Sequence, residues 1–148
     1  MTPRYSLVVP IYNEADNLPA LLRRAGNVLA KLGGPYEIIL VDDGSTDATP
    51  AVIAAASERH PELRTLRHET NRGQATALLD GLRAVRGEFI LTMDGDGQND
   101  PADFPLLLAP VESGQLDLAC GWRVDRQDSS IRKLMSRLGN RVRRQILG

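Results

Sequence analysis

Two carboxylates one residue apart, Asp94 and Asp96, stand where an apolar run gives way to glycine. The run is Phe89-Ile90-Leu91-Thr92-Met93, whose pattern predicts a buried strand. The turn after it reads Asp94-Gly95-Asp96-Gly97-Gln98. A glycine behind each carboxylate gives the backbone angles that other residues avoid. Both carboxylates and the Gln98 carbonyl could then face one point. Oxygen ligands of this kind suit a hard divalent cation, Mg²⁺ or Mn²⁺, with positions left open for phosphate oxygens. Carboxylates this close repel one another, which favours a cation between them. The competing reading is an acidic surface turn, and the position at the end of an apolar strand weighs against it. An EF-hand calcium loop does not match: counted from Asp94, the sixth residue is Asn99 where that loop needs Gly, and the twelfth is Pro105 where it needs Glu.

The elements that must carry this turn can be read in order. Tyr5 to Val9 predicts a first strand, stopped by Pro10, with Ile11 to Ala15 as the loop at its C-terminal end. Asn17 is a candidate N-cap, with Pro19 in the first turn. Leu18, Leu21, Leu22, Ala25, Leu29 and Leu32 recur at helical spacing until Gly33-Gly34-Pro35 ends the helix. Glu37 to Val41 predicts a second strand. It is apolar without alternation, as expected when both sheet faces are covered. Ser45, Thr46 and Asp47 offer caps for a helix through about Arg59. Leu63 to Arg67 reads as a weaker third strand, and Ala75, Leu78, Leu79, Leu82 and Val85 as the stripe of a third helix. A short helix spans Asp103 to Val111, and Leu116 to Gly121 is assigned as a fifth strand by elimination. Strand–helix alternation with short, right-handed crossovers predicts an α/β fold, an open and mainly parallel sheet with helices on both faces. Pro10, Asp42, Asp43, Asp94, Asp96 and Gly121 then fall at C-terminal strand ends, the edge where such sheets bind ligands.

With 148 residues the chain is one domain by size. Its charge is uneven. Residues 123–148 carry eight Lys or Arg against two Asp, a net +6. The other 122 residues carry ten basic and seventeen acidic groups, a net −7. A basic end on an acidic body suits an anionic partner, such as phosphate groups or an anionic membrane surface. Nucleic acid is disfavoured, because no aromatic interleaving, zinc spacing or recognition-helix pattern accompanies the charge. Ile131, Leu134, Met135, Leu138, Val142 and Ile146 line one side of a basic amphipathic helix. The single Cys120 permits no internal disulfide and is expected to be a buried, inert thiol in a reducing compartment. No segment has membrane-spanning length and no leader pattern opens the chain, which suggests a cytoplasmic protein; the basic helix suits a peripheral place at the inner face of the cell membrane.

No GxGxxG follows the first strand and no GxxxxGK[ST] occurs, so neither a dinucleotide fingerprint nor a P-loop is present. A diphosphate would have to be held through a metal at Asp94 and Asp96. Asp42 and Asp43 could accept hydrogen bonds from a base edge or ribose hydroxyls; helix capping and solvation is the alternative.

Together these residues resemble family 2 of the glycosyltransferases, which have the GT-A fold. The matching stretches are Val9-Pro10-Ile11-Tyr12-Asn13-Glu14, Val41-Asp42-Asp43-Gly44-Ser45-Thr46-Asp47, Asn71-Arg72-Gly73 and Met93 to Gln98. The Asp100-Pro101 pair, Gly121-Trp122-Arg123 and the basic stretch beyond it resemble the branch of polyprenyl-phosphate sugar transferases, which includes the dolichyl-phosphate mannose synthases. On that resemblance Pro10, Tyr12 and Glu14 line a nucleotide site, Asp42 contacts the base, and Asp43 lies nearby or supports the loop. Asp94, Asp96 and Gln98 hold Mg²⁺ or Mn²⁺ against the diphosphate of a UDP- or GDP-sugar, Asp94 partly facing sugar or ribose. Arg123, Arg132 and Arg137 meet the acceptor phosphate or the donor diphosphate, so Asp94, Asp96 and Arg123 are the residues assigned to catalysis. The expected reaction is metal-dependent, inverting transfer of the sugar to a polyprenyl phosphate.

The resemblance also predicts two regions: a nucleotide-sugar-binding domain at 1–122, and a basic loop and helix at 123–148 that begin an acceptor side. The family usually continues well beyond Gly148, so the chain is expected to be truncated, with its general base outside the sequence. An exposed helical stripe would then favour a homo-oligomer. Two other readings follow from the residues: a non-catalytic nucleotide- or membrane-binding fragment, and a glycosyltransferase acting on a saccharide hydroxyl. A sugar-nucleotide pyrophosphorylase would need a glycine-rich basic loop after the first strand, which Pro10 to Glu14 does not supply.

Overall fold

The structure is a computed structural model that describes residues 2–121. Strand and helix alternate four times: β1 (Tyr5–Ile11), α1 (Leu18–Leu29), β2 (Tyr36–Asp42), α2 (Thr49–Ser57), β3 (Leu63–Arg67), α3 (Gln74–Arg83), β4 (Phe89–Thr92) and α4 (Phe104–Glu112). Short 3₁₀ turns, Ala30–Leu32 and Pro101–Asp103, follow α1 and precede α4. The strands form one parallel sheet in the order β3-β2-β1-β4. Val8 sits at its centre, in register with Ile39 of β2 and Thr92 of β4.

The unbroken apolar runs of β1 and β2 are explained by cover on both faces. Tyr5, Leu7, Val9, Ile11, Ile38 and Leu40 point into the larger core, packed with Leu18, Leu22, Ala25 and Leu29 of α1, Ile53 of α2, and Phe104 and Leu108 of α4. Val8, Ile39 and Val41 point the other way, onto Ala77 of α3 with Leu66, Leu78, Leu82 and Val85 around it.

Several expectations need correction. Pro10 does not stop β1, which runs on to Ile11. The C=O of Ile11 accepts from the Asp43 N–H, and that of Val8 accepts from the Met93 N–H. Odd positions of β1 therefore address β2 and even positions address β4. The N–H that Pro10 lacks falls on the β4 side, where β4 has already ended at Thr92.

The face of α3 matches the expected stripe only in part: Leu78, Leu82 and Val85 pack on the second core, but Ala75 and Leu79 do not. Ala77 and Gly81 are its buried residues, while Leu79 is 47% exposed. A Cβ on Gly81 would lie 2.4 Å from Val8 Cγ1 and 3.0 Å from Val41 Cγ2. Close approach to the sheet selects the smallest side chains for the contact line, which a count of bulky apolar residues overlooks. Residues 116–121 form no strand; Leu116 and Leu118 are 49% and 76% exposed. Cys120 is exposed, not buried.

At the edge opposite the acidic turn, a polar cluster pins α3 to the sheet. The buried Glu37 carboxylate accepts from Ser6 Oγ at 2.6 Å, Arg64 Nη1 at 2.6 Å and the Arg86 N–H at 2.7 Å. Arg64 also donates to the Ala84 C=O, and the Gly87 N–H donates to Ser6 Oγ. Every buried acceptor of Glu37 is thus engaged, the condition under which a buried charge is tolerated.

Candidate functional site

A parallel sheet puts all its C-terminal strand ends on one edge. A cleft of about 310 Å³ opens there. The β1 end contributes Pro10, Ile11, Tyr12 and Glu14; the β2 end contributes Asp43; the segment before α3 and its first residue contribute Asn71 and Gln74. Asp94, Gly95 and Asp96 close it from the β4 side. Five of the nucleotide-site candidates, Pro10, Tyr12, Glu14, Asp43 and Asp94, thus line one cavity, together with the candidate metal ligand Asp96. Asp42 and Gln98 are not among its lining residues. Arg123, Arg132 and Arg137 lie outside the described residues, as does the basic helix.

The loops after β1 and β2 are tied together through Asn13. This residue has φ +56, a left-handed conformation that Asn accepts more readily than most. Its Oδ1 accepts from the N–H groups of Thr46 and Asp47, and its own N–H donates to Ser45 Oγ. The Glu14 N–H donates to Thr49 Oγ1, and Asn17 Nδ2 donates to Glu14 Oε2. Ser45 and Thr46, expected as helix caps, serve this clasp instead; the N-cap of α2 is Ala48, without a side-chain cap bond, and Asp47 just before it accepts from the Thr49 N–H through Oδ1. Asn17 occupies its N-cap position without a side-chain cap bond.

The two adjacent aspartates of the β2 end have different surroundings. Asp42 Oδ1 accepts from the Ser45 N–H at 2.9 Å. Its Oδ2 is buried with Arg67 Nε 3.3 Å away, an ion pair that lacks hydrogen-bond geometry. Asp43 Oδ1 accepts from His68 Nδ1 at 2.6 Å and the Arg72 N–H at 2.9 Å, and Oδ2 accepts from the Gly73 N–H at 2.7 Å. Burial alone would raise the Asp43 carboxyl; these hydrogen bonds outweigh it and hold the group below the ordinary carboxylate range. Gly44 makes the approach of the two segments possible. It has φ +77, and a Cβ there would sit 2.6 Å from the Thr70 carbonyl carbon.

The acidic turn is held from two sides. Asp94 Oδ1 accepts from Gln74 Nε2 at 2.6 Å, so the first residue of α3 fixes a carboxylate of the β4 loop. Asp96 Oδ1 accepts from the Gln98 N–H at 3.0 Å. Gly95 between them is buried, and a Cβ on it would lie 2.5 Å from Ile11 Cγ2 and 3.1 Å from the Pro10 C=O. Its small size presses the turn against β1. Gly97 supplies the expected left-handed backbone, with φ +73.

Among the described residues no group of three or more His, Cys, Asp or Glu could hold a metal ion by itself. Asp94 and Asp96 on one wall supply the hard oxygen donors that Mg²⁺ or Mn²⁺ takes, and the rest of its coordination would come from a ligand's phosphates and water. The residues fit a metal shared with a bound diphosphate and do not fit a closed structural metal cage. Gln74 and Asn71 of the cleft wall, and the Asn13 clasp, were not anticipated as site residues. Asn13 and Asn71 stand within stretches that carry the family resemblance; Gln74 stands in none of them.

The glycosyl transferase family 2 model matches residues 6–147. The chain belongs to glycosyl transferase family 2. It is 39% identical over 146 residues to the undecaprenyl-phosphate 4-deoxy-4-formamido-L-arabinose transferases of Klebsiella pneumoniae and Yersinia enterocolitica, covering 98% of this chain and 44% of each relative. The chain therefore spans less than half the length of these curated relatives. Among solved structures, a Pyrobaculum calidifontis mannosyltransferase in complex with GDP-Man and Mn²⁺ is 33% identical, with a TM-score of 0.55 over 65% of this chain and 28% of that one. S. aureus TarS 1-349 in complex with UDP-GlcNAc is 27% identical, with a TM-score of 0.60 over 86% and 37%. The parallel sheet with helices on both faces is the GT-A arrangement of these family 2 relatives.

Proposed function

We propose that the whole protein is a glycosyltransferase that moves a sugar from a nucleoside-diphosphate donor to a polyprenyl phosphate, with inversion at the anomeric carbon. The observation that carries this reading is the convergence of Asp94 and Asp96 with Tyr12, Glu14 and Asp43 on one cleft. The relatives' names support the acceptor, since they are undecaprenyl-phosphate transferases. UDP and GDP are both compatible with the donor, because the solved relatives carry UDP-GlcNAc and GDP-Man.

In this reading residues 1–122 bind the donor and residues 123–148 begin the acceptor side. Pro10, Tyr12 and Glu14 form the wall against which the nucleoside rests, on a loop kept in shape by Asn13. Asp42 and Asp43 stand at the base-recognition end, with Asp43 also organising the Arg72–Gly73 backbone. Asp94 and Asp96, with Gln98 nearby, hold Mg²⁺ or Mn²⁺; Gln74 orients Asp94 for that task. The bound metal supplies positive charge that stabilises the departing diphosphate. The acceptor phosphate is already anionic, so it attacks the anomeric carbon without first losing a proton to a strong base. Arg123, Arg132 and Arg137 neutralise the two phosphate groups as they approach. Among the described residues no helix is long and apolar enough to cross a membrane. We place the protein at the cytoplasmic face, with the basic segment against anionic lipid.

The test is transfer of radiolabelled sugar from a panel of UDP- and GDP-sugars to undecaprenyl phosphate by the full-length protein. Labelled lipid that requires a divalent cation and disappears in Asp96→Asn supports the proposal. Label appearing on a saccharide hydroxyl, with none on lipid, would overturn the acceptor assignment.

A further inference from the structure

Asp42 and Arg67 are register partners at the ends of β2 and β3. Asp42 is 1% exposed. Its Oδ1 is taken by the Ser45 N–H, and its Oδ2 is a buried acceptor that receives no hydrogen bond. Arg67 Nε lies 3.3 Å from Oδ2 without being aligned to donate to it, and the Arg67 side chain is 58% exposed. Among the described residues the guanidinium has no other acceptor. A buried acceptor without a donor thus adjoins a guanidinium without an acceptor. Folded proteins leave few buried polar atoms in this state, and a missing ligand is one explanation. The orphan oxygen is close to the cleft. On its other side Asp42 is in register with Ile11, which lines the cleft, as does the next residue, Asp43. The backbone here is tied down: the Asp43 N–H donates to the Ile11 C=O, and the His68 N–H donates to the Asp42 C=O. Opening a way to Oδ2 therefore falls to side chains, and Arg67 is the exposed one.

We propose that Arg67 is a specificity-determining residue of the donor site: it lies against Asp42 Oδ2 in the free protein, moves aside for the nucleotide base, and donates to a base carbonyl while Oδ2 accepts the adjoining ring N–H. The inference rests on the donor-site reading above and adds the residue that reads the base. Together the pair presents an acceptor beside donors. Its complement is a ring N–H beside a C=O. Uracil carries this pattern at N3 with O2 and O4, and guanine carries it at N1 with O6. Cytosine and adenine do not. Each has a bare ring nitrogen, whose lone pair would face the carboxylate, beside an amino group that would face the guanidinium. Arginine suits the task because its planar fork of five N–H donors stays charged and can address a carboxylate and a carbonyl together. A pair that served the fold alone has no reason to leave Oδ2 without a bond, and with Arg67 so exposed it adds little stability.

Calorimetry on the full-length protein with Mn²⁺ compares UDP, GDP, CDP and ADP. It then compares the base that binds with its thio analogues, 2-thio- and 4-thio-UDP or 6-thio-GDP. Sulfur accepts hydrogen bonds more weakly than oxygen, so these analogues test the carbonyl contact by itself. The wild type should bind UDP or GDP about a hundredfold more tightly than CDP or ADP, the effect of two mismatched contacts. One thio analogue should bind about tenfold more weakly than its parent, the loss of one charge-assisted bond. Arg67→Ala should weaken the parent about tenfold and abolish the difference between parent and analogue. Arg67→Lys keeps a charge beside Asp42 but only a point donor, so it should bind the parent with intermediate affinity; it carries the test if Arg67→Ala does not fold. An Arg67 that only supports the fold would weaken parent and analogue alike and leave their ratio unchanged. The proposal is overturned by that unchanged ratio, by the absence of any thio effect in the wild type, by CDP or ADP binding as tightly as UDP and GDP, or by a folded Arg67 variant that binds parent and analogue as the wild type does. Failure of the wild type to bind any of the four nucleotides would instead defeat the donor-site reading on which the role of Arg67 rests.

Discussion

Gly95 offers a test in which one added carbon should disturb the site from within. The Cβ of Gly95→Ala would lie 2.5 Å from Ile11 Cγ2 and 3.1 Å from the Pro10 C=O. Carbon atoms in contact prefer about 3.5–4.0 Å, so the turn must retreat by roughly 1 Å or more. Ile11 cannot yield easily: Cγ2 is attached directly to Cβ, and the residue is 3% exposed in the core. Overpacking of this kind costs about 1–3 kcal/mol. A retreat of about 1 Å carries Asp94 and Asp96 with it, which can weaken a positioned site by roughly a hundredfold. A double-mutant cycle with Ile11→Ala, which deletes Cγ2, separates the clash from other effects. Chemical denaturation gives the stability, and calorimetry with UDP or GDP and Mn²⁺ gives the affinity. Gly95→Ala should lower both in the wild-type background and lower them far less beside Ile11→Ala. Equal losses in the two backgrounds would refute the steric argument.

Three further substitutions separate the fold from the site. Glu37→Gln keeps the shape but puts an amide donor against donors from Ser6, Arg64 or Arg86, so it should destabilise by about 3 kcal/mol in denaturation while leaving nucleotide Kd near the wild-type value. Burial would raise the Glu37 carboxyl, but the hydrogen bonds from Ser6, Arg64 and the Arg86 N–H lower it overall. Its folded value lies below its unfolded one, so its contribution is complete above the unfolded carboxylate range and is lost as pH falls through the folded value; Glu37→Gln should accordingly show a shallower acid dependence of stability. Gln74→Ala removes the 2.6 Å bond to Asp94 and should raise the Kd for the metal–nucleotide pair about tenfold with little change in Tm. Asn13→Ala loses the bonds to Thr46 and Asp47 and places Ala at φ +56, for an expected cost of about 2 kcal/mol; Asn13→Gly, which relieves the backbone, should cost less.

Much of this was legible in the residues. The alternation of apolar runs and helical stripes located four strands and four helices, because each run ends in a glycine, proline or acidic turn. The parallel arrangement then forced Pro10, Asp43, Asp94 and Asp96 onto one edge. Long-range contacts left weaker marks. The contact line of α3 runs through Ala77 and Gly81, because small residues permit the closest approach; the bulky Leu78, Leu82 and Val85 flank that line, and bulk alone did not mark its centre. Pro10 was read as a stop because its absent N–H ends many strands; its strand continues because that N–H would face a neighbour that has already left. The Leu116–Gly121 run has strand-like residues but no partner among the described strands, and Leu118 and Cys120 stay exposed. The clasp around Asn13 and the His68–Asp43 and Gln74–Asp94 bonds join residues 20 to 34 positions apart, and no local pattern encodes such pairs.

The central claim is that Asp94 and Asp96 capture a divalent cation together with a nucleoside diphosphate. Titration of UDP and of GDP into the full-length protein, with Mn²⁺ and with EDTA, measures this directly. One of the two nucleotides should bind in Mn²⁺, lose at least tenfold in affinity in EDTA, and lose the same amount in Asp96→Asn with Mn²⁺ present. Binding that is equally tight with and without the cation, or unchanged by Asp96→Asn, would contradict it.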